Sequence, residues 1–295
     1  MLDRSRIAVY NKIMNRKNTA DRAQILRCLV EGNSIRSTVR LTGASKNTIT
    51  KLLVETGKAC SLYQDEHFVN LPCKRIQVDE IWSFVHNKEA NTPHGKWAEV
   101  GDIWTWTAMC ADTKLIASWS VGKRTLAVAK EFMEDLASRM GSRIQLSSDG
   151  HKVYLEAVRN AFGKDIDYGM LVKIYGSSTD EQTRRYSPSV CIEAKPTVIT
   201  GKPEVQHIST SFVERQNLTM RMGMRRFTRL TNAFSKKVEN HAHAIALHFM
   251  YYNFCRVHKT LKTTPAIAAG VADKIWSLED VIEMVNAYKD EPDSN

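Results

Sequence analysis

The sequence predicts an α/β protein in which a mixed five-stranded sheet with flanking helices follows an all-helical N-terminal segment. Three observations carry this prediction. The first 60 residues show helical periodicity only, strand-type runs begin at Ile76 and recur to Tyr175, and three acidic residues occupy distinct places in that later pattern. These are Asp79 in IQVDEIWSFV, Asp149 in IQLSSDG and Glu214 in TSFVERQN. Carboxylates brought together by a sheet and a helix packed on it suit Mg²⁺, which takes a few such oxygens and keeps positions for water and phosphate.

From Thr19 to Glu31, Ala23, Leu26, Leu29 and Val30 recur at helical spacing, with Thr19 as the expected cap and Gly32 just past the end. A second short helix begins at Ser34, carries Ile35, Val39 and Leu41, and breaks at Thr42-Gly43. Ser45 then caps a third, with Ile49, Leu52 and Leu53 inward. Helix, glycine turn, helix is the helix-turn-helix pattern. It offers Ser45, Lys46, Asn47, Thr50 and Lys51 to the base edges and phosphates of a major groove. The rival, a three-helix bundle that binds nothing, fits poorly with twelve Lys or Arg against four acids in residues 1–60. Residues 1–56 are therefore read as a DNA-binding domain. Residues 57–73, with Gly57, Pro72 and no clean period, are read as a linker.

Strand signals dominate from residue 74. Ile76–Val85, Asp102–Cys110 and Leu115–Val121 read as three strands. Thr125 caps a helix with Val128, Phe132, Leu136 and Met140 on one face, and Ile144–Ser148 is a fourth strand that ends at Asp149. A helix from about Lys152 to Phe162 and a strand around Met170–Tyr175 follow. This order is that of the ribonuclease-H-like fold, in which the first and fourth strands are neighbours. Alternation along the first strand puts Gln77, Asp79 and Ser83 on one face and Ile76, Val78, Trp82 and Phe84 on the other. Glu80 falls on the apolar face, suited equally to a metal and to a basic partner. Residues 176–210 interrupt the pattern and read as an insertion. The catalytic unit spans 74–270, and 271–295 hold a Ser277-capped helix and an acidic tail.

Formal net charge is +10 with a sequence pI near 9.3, a balance that favours polyanionic partners. Between Arg215 and Lys237 stand five Arg and two Lys with no acid. Counting from Glu214, Asn217, Arg221, Arg225 and Thr228 follow at helical intervals, opposite Val213, Met220, Met224 and Phe227. One helix is thus expected to carry the third carboxylate and to track a phosphate backbone, with Arg215, Arg226, Arg229, Lys236 and Lys237 extending the basic run. Six cysteines without C-x-x-C pairs indicate neither a zinc ribbon nor a disulfide framework. His241, His243 and His248 read as packing or polar-face residues, since no carboxylate or cysteine accompanies them. With no signal peptide and no apolar run long enough to span a bilayer, a reduced cytoplasmic setting and no membrane partner are expected.

The segments QVDEIWSFV, SSDG, TSFVERQN with LTMRMGMRRFTRLTNAFSKK, and YYNFCRVHKTLKTTPAIAAG together resemble a DDE transposase of bacterial insertion sequences, most closely the insertion-sequence-one group, over about residues 74–270. The resemblance implies that Asp79, Asp149 and Glu214 are a catalytic, metal-binding triad holding two Mg²⁺ ions, with Mn²⁺ able to substitute. It implies nicking at element ends and transfer of the 3′-hydroxyl to target DNA, the two ions clamping attacking and leaving oxygens. It also places His258 near the active site, with a capping contact between the last helix and Thr264-Pro265 as the equal alternative. The partners would be double-stranded DNA, as terminal inverted repeats and as target, and further copies of the chain. Joining two ends takes at least two active sites, so a homodimer or larger assembly is expected, with Trp276 and the segment LEDVIEMV as candidate contacts. The setting would be the nucleoid of a bacterium or archaeon. Two departures stand out: the cysteine-based zinc finger of several members is incomplete here, and Glu214 lies 65 positions after Asp149, farther than in compact members. Glu181, 32 positions after Asp149, is the rival third ligand. The alternatives are a domesticated or regulatory DNA-binding protein on the same fold and a related metal-dependent DNA nuclease.

Overall fold

Capping residues set the starts of the N-terminal helices. The Asn18 carboxamide accepts the Asp21 N–H at 2.7 Å and opens α1 (Thr19–Val30), one residue earlier than the expected cap at Thr19. Ser34 caps α2 (Ile35–Thr42), which stops at Gly43 in the left-handed region, and Ser45 caps α3 (Lys46–His67). The computed structural model describes residues 17–92, 100–176, 191–228 and 233–290.

Six strands form one mixed sheet: β1 (Arg75–Val85), β2 (Gly101–Cys110), β3 (Ile116–Gly122), β4 (Gln145–Asp149), β5 (Asp167–Tyr175) and β6 (Cys191–Thr200). Their order is β3-β2-β1-β4-β5-β6, with β4 parallel to β1 and β5 and the other pairs antiparallel. On one face Ile76, Val78 and Trp106 share a core with Phe132 of α4 (Leu126–Arg139) and Tyr154 of α5 (Val153–Phe162). On the other, Ile81 and Met109 pack with Val213 and Met220 of α6 (Ser211–Gly223) and with Ile245 and Phe249 of α7 (Val238–Met250). The arrangement is consistent with a ribonuclease-H-like fold, with six strands where five were expected. The extra strand, β6, lies in the segment read as an insertion. Its side chains are largely exposed on both faces and it contains Pro196, so it lacks the apolar alternation that marks a strand in sequence.

Three other expectations change. The segment read as a linker is helical as far as His67, because Gly57 is a packing residue and not a break: a Cβ there would lie 2.4 Å from His243 Cβ, where α3 meets α7. The helix carrying Glu214 stops at Gly223, Met224 is extended, and Arg225–Phe227 form a 3-10 turn, so Arg225 and Thr228 leave the line that begins at Glu214. A turn at Pro265–Ala268 (α8) leads to α9 (Leu278–Asp290), whose Val281, Ile282 and Val285 are buried as α9 packs on α1 and α3. Trp276 packs on Tyr63 and Phe254. The apolar residues expected to meet a second copy are thus covered within the chain, and helices from both chain ends share one core.

Candidate active site

β1 and β4 pair at Arg75–Gln145, Ile76–Leu146 and Gln77–Ser147, and then their pairing ends. Asp79 and Asp149 stand two residues further along each strand, at equal register and on the same face. Parting strands in an open sheet leave a crevice beyond their carboxyl ends. α6 covers this side. Gln77 Oε1 accepts the backbone N–H groups of Phe212 at 2.8 Å and Val213 at 3.2 Å, satisfying donors of the first helical turn. The same side chain therefore anchors the turn that carries Glu214. One turn on, Asn217 donates Nδ2–H to Asp79 Oδ2 at 2.8 Å. Asn217, expected on the phosphate-tracking face, is 5% exposed and holds a carboxylate instead.

Asp79 is partly buried and feels Glu80, Asp149 and Glu214. Burial first and then this repulsion push its carboxyl up to about 7. Asp149 Oδ1 accepts the His151 N–H at 3.0 Å. Glu214 Oε1 is engaged by the Lys173 ammonium and the Thr210 hydroxyl. Lys173 reaches it because Leu171 pairs with Asp149, so the residue two further along β5 lies on the same face. On the opposite face, Glu80 is buried and accepts from Arg124 Nε at 2.6 Å and the Tyr154 hydroxyl at 2.8 Å. Arg124 in turn lies 4.8 Å from the centre of the Trp104 ring. Burial and Asp149 raise the Glu80 pKa, and Arg124 and Tyr154 oppose them. The two uses open to Glu80 thus resolve to the basic partner.

The lining of the crevice suits a hard cation. Its donors are oxygens. Beside Asp79, the Asn217 Oδ1 atom and the Oγ1 atom of Thr107, the residue opposite Asp79 on β2, are buried without hydrogen-bond partners. The carboxylates do not yet converge, and among the described residues no three His, Cys, Asp or Glu are arranged to hold a metal ion.

The other sequence candidates are dispersed. The Ser45 hydroxyl caps α3 and the Thr50 hydroxyl donates to the Lys46 carbonyl at 2.9 Å, whereas Lys46, Asn47 and Lys51 are exposed. Arg215, Arg225, Lys236 and Lys237 are exposed and Arg221 is partly buried. Arg226 donates to the Asn240 carbonyl at 2.8 Å, and burial lowers its pKa to about 10. Arg229 and Glu181 lie outside the described residues. The His258 N–H donates to the Thr263 carbonyl at 2.8 Å, and burial first, then Lys114 and Arg256, lower its pKa. His241 is wedged between Ser83 at 3.0 Å and Ser235 at 3.2 Å, and burial lowers its pKa to about 3, in keeping with a packing role. Sequence reasoning missed Gln77 and Lys173. The signal for Gln77 was its position on the Asp79 face.

No family model and no curated protein matches the chain. Among solved structures it is similar to a piggyBac transposase in a synaptic complex with hairpin DNA, at 11% identity and a TM-score of 0.42, over 93% of this chain and 73% of that one. A likeness at that level carries no argument about activity. Among the described residues no helix is long and apolar enough to cross a membrane.

Proposed function

We propose that the protein is a DNA transposase that binds the terminal inverted repeats of its element, nicks the element ends and transfers the freed 3′-hydroxyl to target DNA. The equal register of Asp79 and Asp149 where β1 and β4 part, with Glu214 docked against the same face, supports this best. In this reading the three carboxylates hold Mg²⁺, which when bound supplies an activated nucleophile and charge stabilisation at the phosphate. Asn217 fixes the orientation of Asp79, and Gln77 fixes the helical turn that presents Glu214. Lys173, once exchanged by Glu214, is free to meet a phosphate oxygen on the same face. Lys46, Asn47 and Lys51, exposed at the start of α3, read the terminal repeat, and Arg215, Arg225, Lys236 and Lys237 take phosphates. Two or more copies assemble on DNA, because two ends are joined.

The test incubates purified protein with a duplex carrying its own flanking genomic ends, with Mg²⁺ or chelator, beside Asp149→Asn and Glu214→Gln. Metal-dependent cleavage and joining, lost in both variants, is the expected result. End-specific binding without cleavage under any metal would replace the transposase with a regulatory DNA-binding protein. Activity surviving in Glu214→Gln would move the third ligand to Glu181.

A further inference from the structure

Phe212 lies two residues ahead of Glu214, and its backbone N–H is tied to Gln77, yet its side chain is left 42% exposed. Lys114 covers one face of the ring, its Nζ 3.2 Å from the centroid. A ring that is covered by one cation and still 42% exposed can take a second planar group on its exposed part. Asp112, the carboxylate that Lys114 feels, is engaged by Arg75.

The turn from Arg256 to Lys262 follows Asn253, whose carboxamide bonds both backbone groups of Ile116 at 3.0 Å, two residues beyond Lys114, and this places the turn near the pair. Its backbone is tightly held: the His258 N–H donates to the Thr263 carbonyl at 2.8 Å and the Lys262 N–H to the His258 carbonyl at 2.9 Å. The turn carries Arg256, His258, Lys259 and Lys262 and no acid. Arg256, Lys259 and Lys262 are exposed, and among the described residues no ion pair involves them. Unbalanced like charge on a rigid turn is relieved by a polyanion.

We propose that Phe212, Lys114 and the turn Arg256–Lys262 form a nucleotide subsite beside the carboxylates, where one unpaired base of a DNA strand stacks on the open face of Phe212 and its phosphates lie on Arg256, Lys259 and Lys262. A single strand alternates planar rings with phosphates, which matches a half-open aromatic ring bordered by cations. An anionic membrane or an acidic peptide supplies the charges without the planar group. The assignment of DNA as the polymer rests on the transposase reading; the stacking does not require cleavage.

The test uses the full chain in chelator, with fluorescein-labelled (dT)12 and an abasic strand of equal length, read by anisotropy. The wild type binds (dT)12 about tenfold more tightly than the abasic strand. Phe212→Ala abolishes that preference and leaves abasic binding unchanged, and Phe212→Trp restores it. Replacing Arg256, Lys259 and Lys262 by Gln weakens both strands and lowers the salt slope by roughly 2, at about 0.7 per phosphate contact. A Phe212→Ala protein that still prefers (dT)12, or a wild type indifferent to bases, overturns the subsite and leaves the transposase reading intact. Failure to bind any strand or duplex overturns both.

Discussion

Asp79 and Glu80 are consecutive residues of β1, and alternation sends them to opposite faces of one sheet. Glu80 is the more buried, yet its charge is matched by Arg124 and its second oxygen by the Tyr154 hydroxyl. Asp79 meets an amide, Asn217, and feels the repulsion of Glu80 and of two carboxylates on its own face, Asp149 and Glu214. The chain thus neutralises the acid on the α4/α5 face and leaves acids on the α6 face in excess. Burial alone does not mark a working carboxylate; what separates the two is whether the protein supplies the countercharge.

The sharpest way to break this comparison is Asp149→Asn, which removes one carboxylate of the excess. Cleavage of end DNA should fall by about three orders of magnitude, roughly 4 kcal/mol of barrier, while melting without metal rises because repulsion on Asp79 is relieved. Loss of stability together with loss of activity would place Asp149 among the structural acids, with Glu80.

A pH comparison of wild type with Asp79→Asn comes next. The folded pKa of Asp79 lies near 7, above its ordinary value of 3.8, so the folded state holds the proton longer than the unfolded one. Stability from this group is complete below pH 3.8 and is lost as pH rises through 7. The wild type should therefore lose stability relative to Asp79→Asn across that window, by at most about 4 kcal/mol at neutral pH. The buried His241, at about 3, and His248, at about 4, act in the opposite sense, because their stability is lost as pH falls below 6.5. Taking the difference between the two proteins cancels that contribution, and a flat difference curve would show that Asp79 carries no excess repulsion.

Smaller effects sharpen the contrast. Glu80→Gln should destabilise by about 2 kcal/mol, a buried-pair cost discounted because Arg124 is over one third exposed, while Mg²⁺ binding persists. Asn217→Ala should cost about 1 kcal/mol in chemical denaturation, with cleavage about tenfold slower, since it removes the hydrogen bond that orients Asp79.

Much of this was legible because it depends on local period. Alternation separates Asp79 from Glu80, and apolar runs mark the first five strands. What was hidden depends on contacts distant in sequence. β6 is held by pairing with β5 and buries little, so no apolar pattern announces it. Gly57 looks like a break until His243 is placed against it. Asn217 occupies the same helical interval whether it meets solvent or Asp79, and only the docking of α6 by Gln77 decides.

The central claim is that the acids of the α6 face, Asp79, Asp149 and Glu214, exceed the cation beside them, Lys173, whereas Glu80 on the α4/α5 face is matched by Arg124. Thermal unfolding of wild type, Asp79→Asn and Glu80→Gln with and without Mg²⁺ tests it most directly. Bound ligand at a hundred times its Kd stabilises by roughly 2.7 kcal/mol. Mg²⁺ should raise the melting temperature of wild type and Glu80→Gln by several degrees and leave Asp79→Asn unchanged. An equal shift in Asp79→Asn, or a shift abolished by Glu80→Gln alone, would contradict the account.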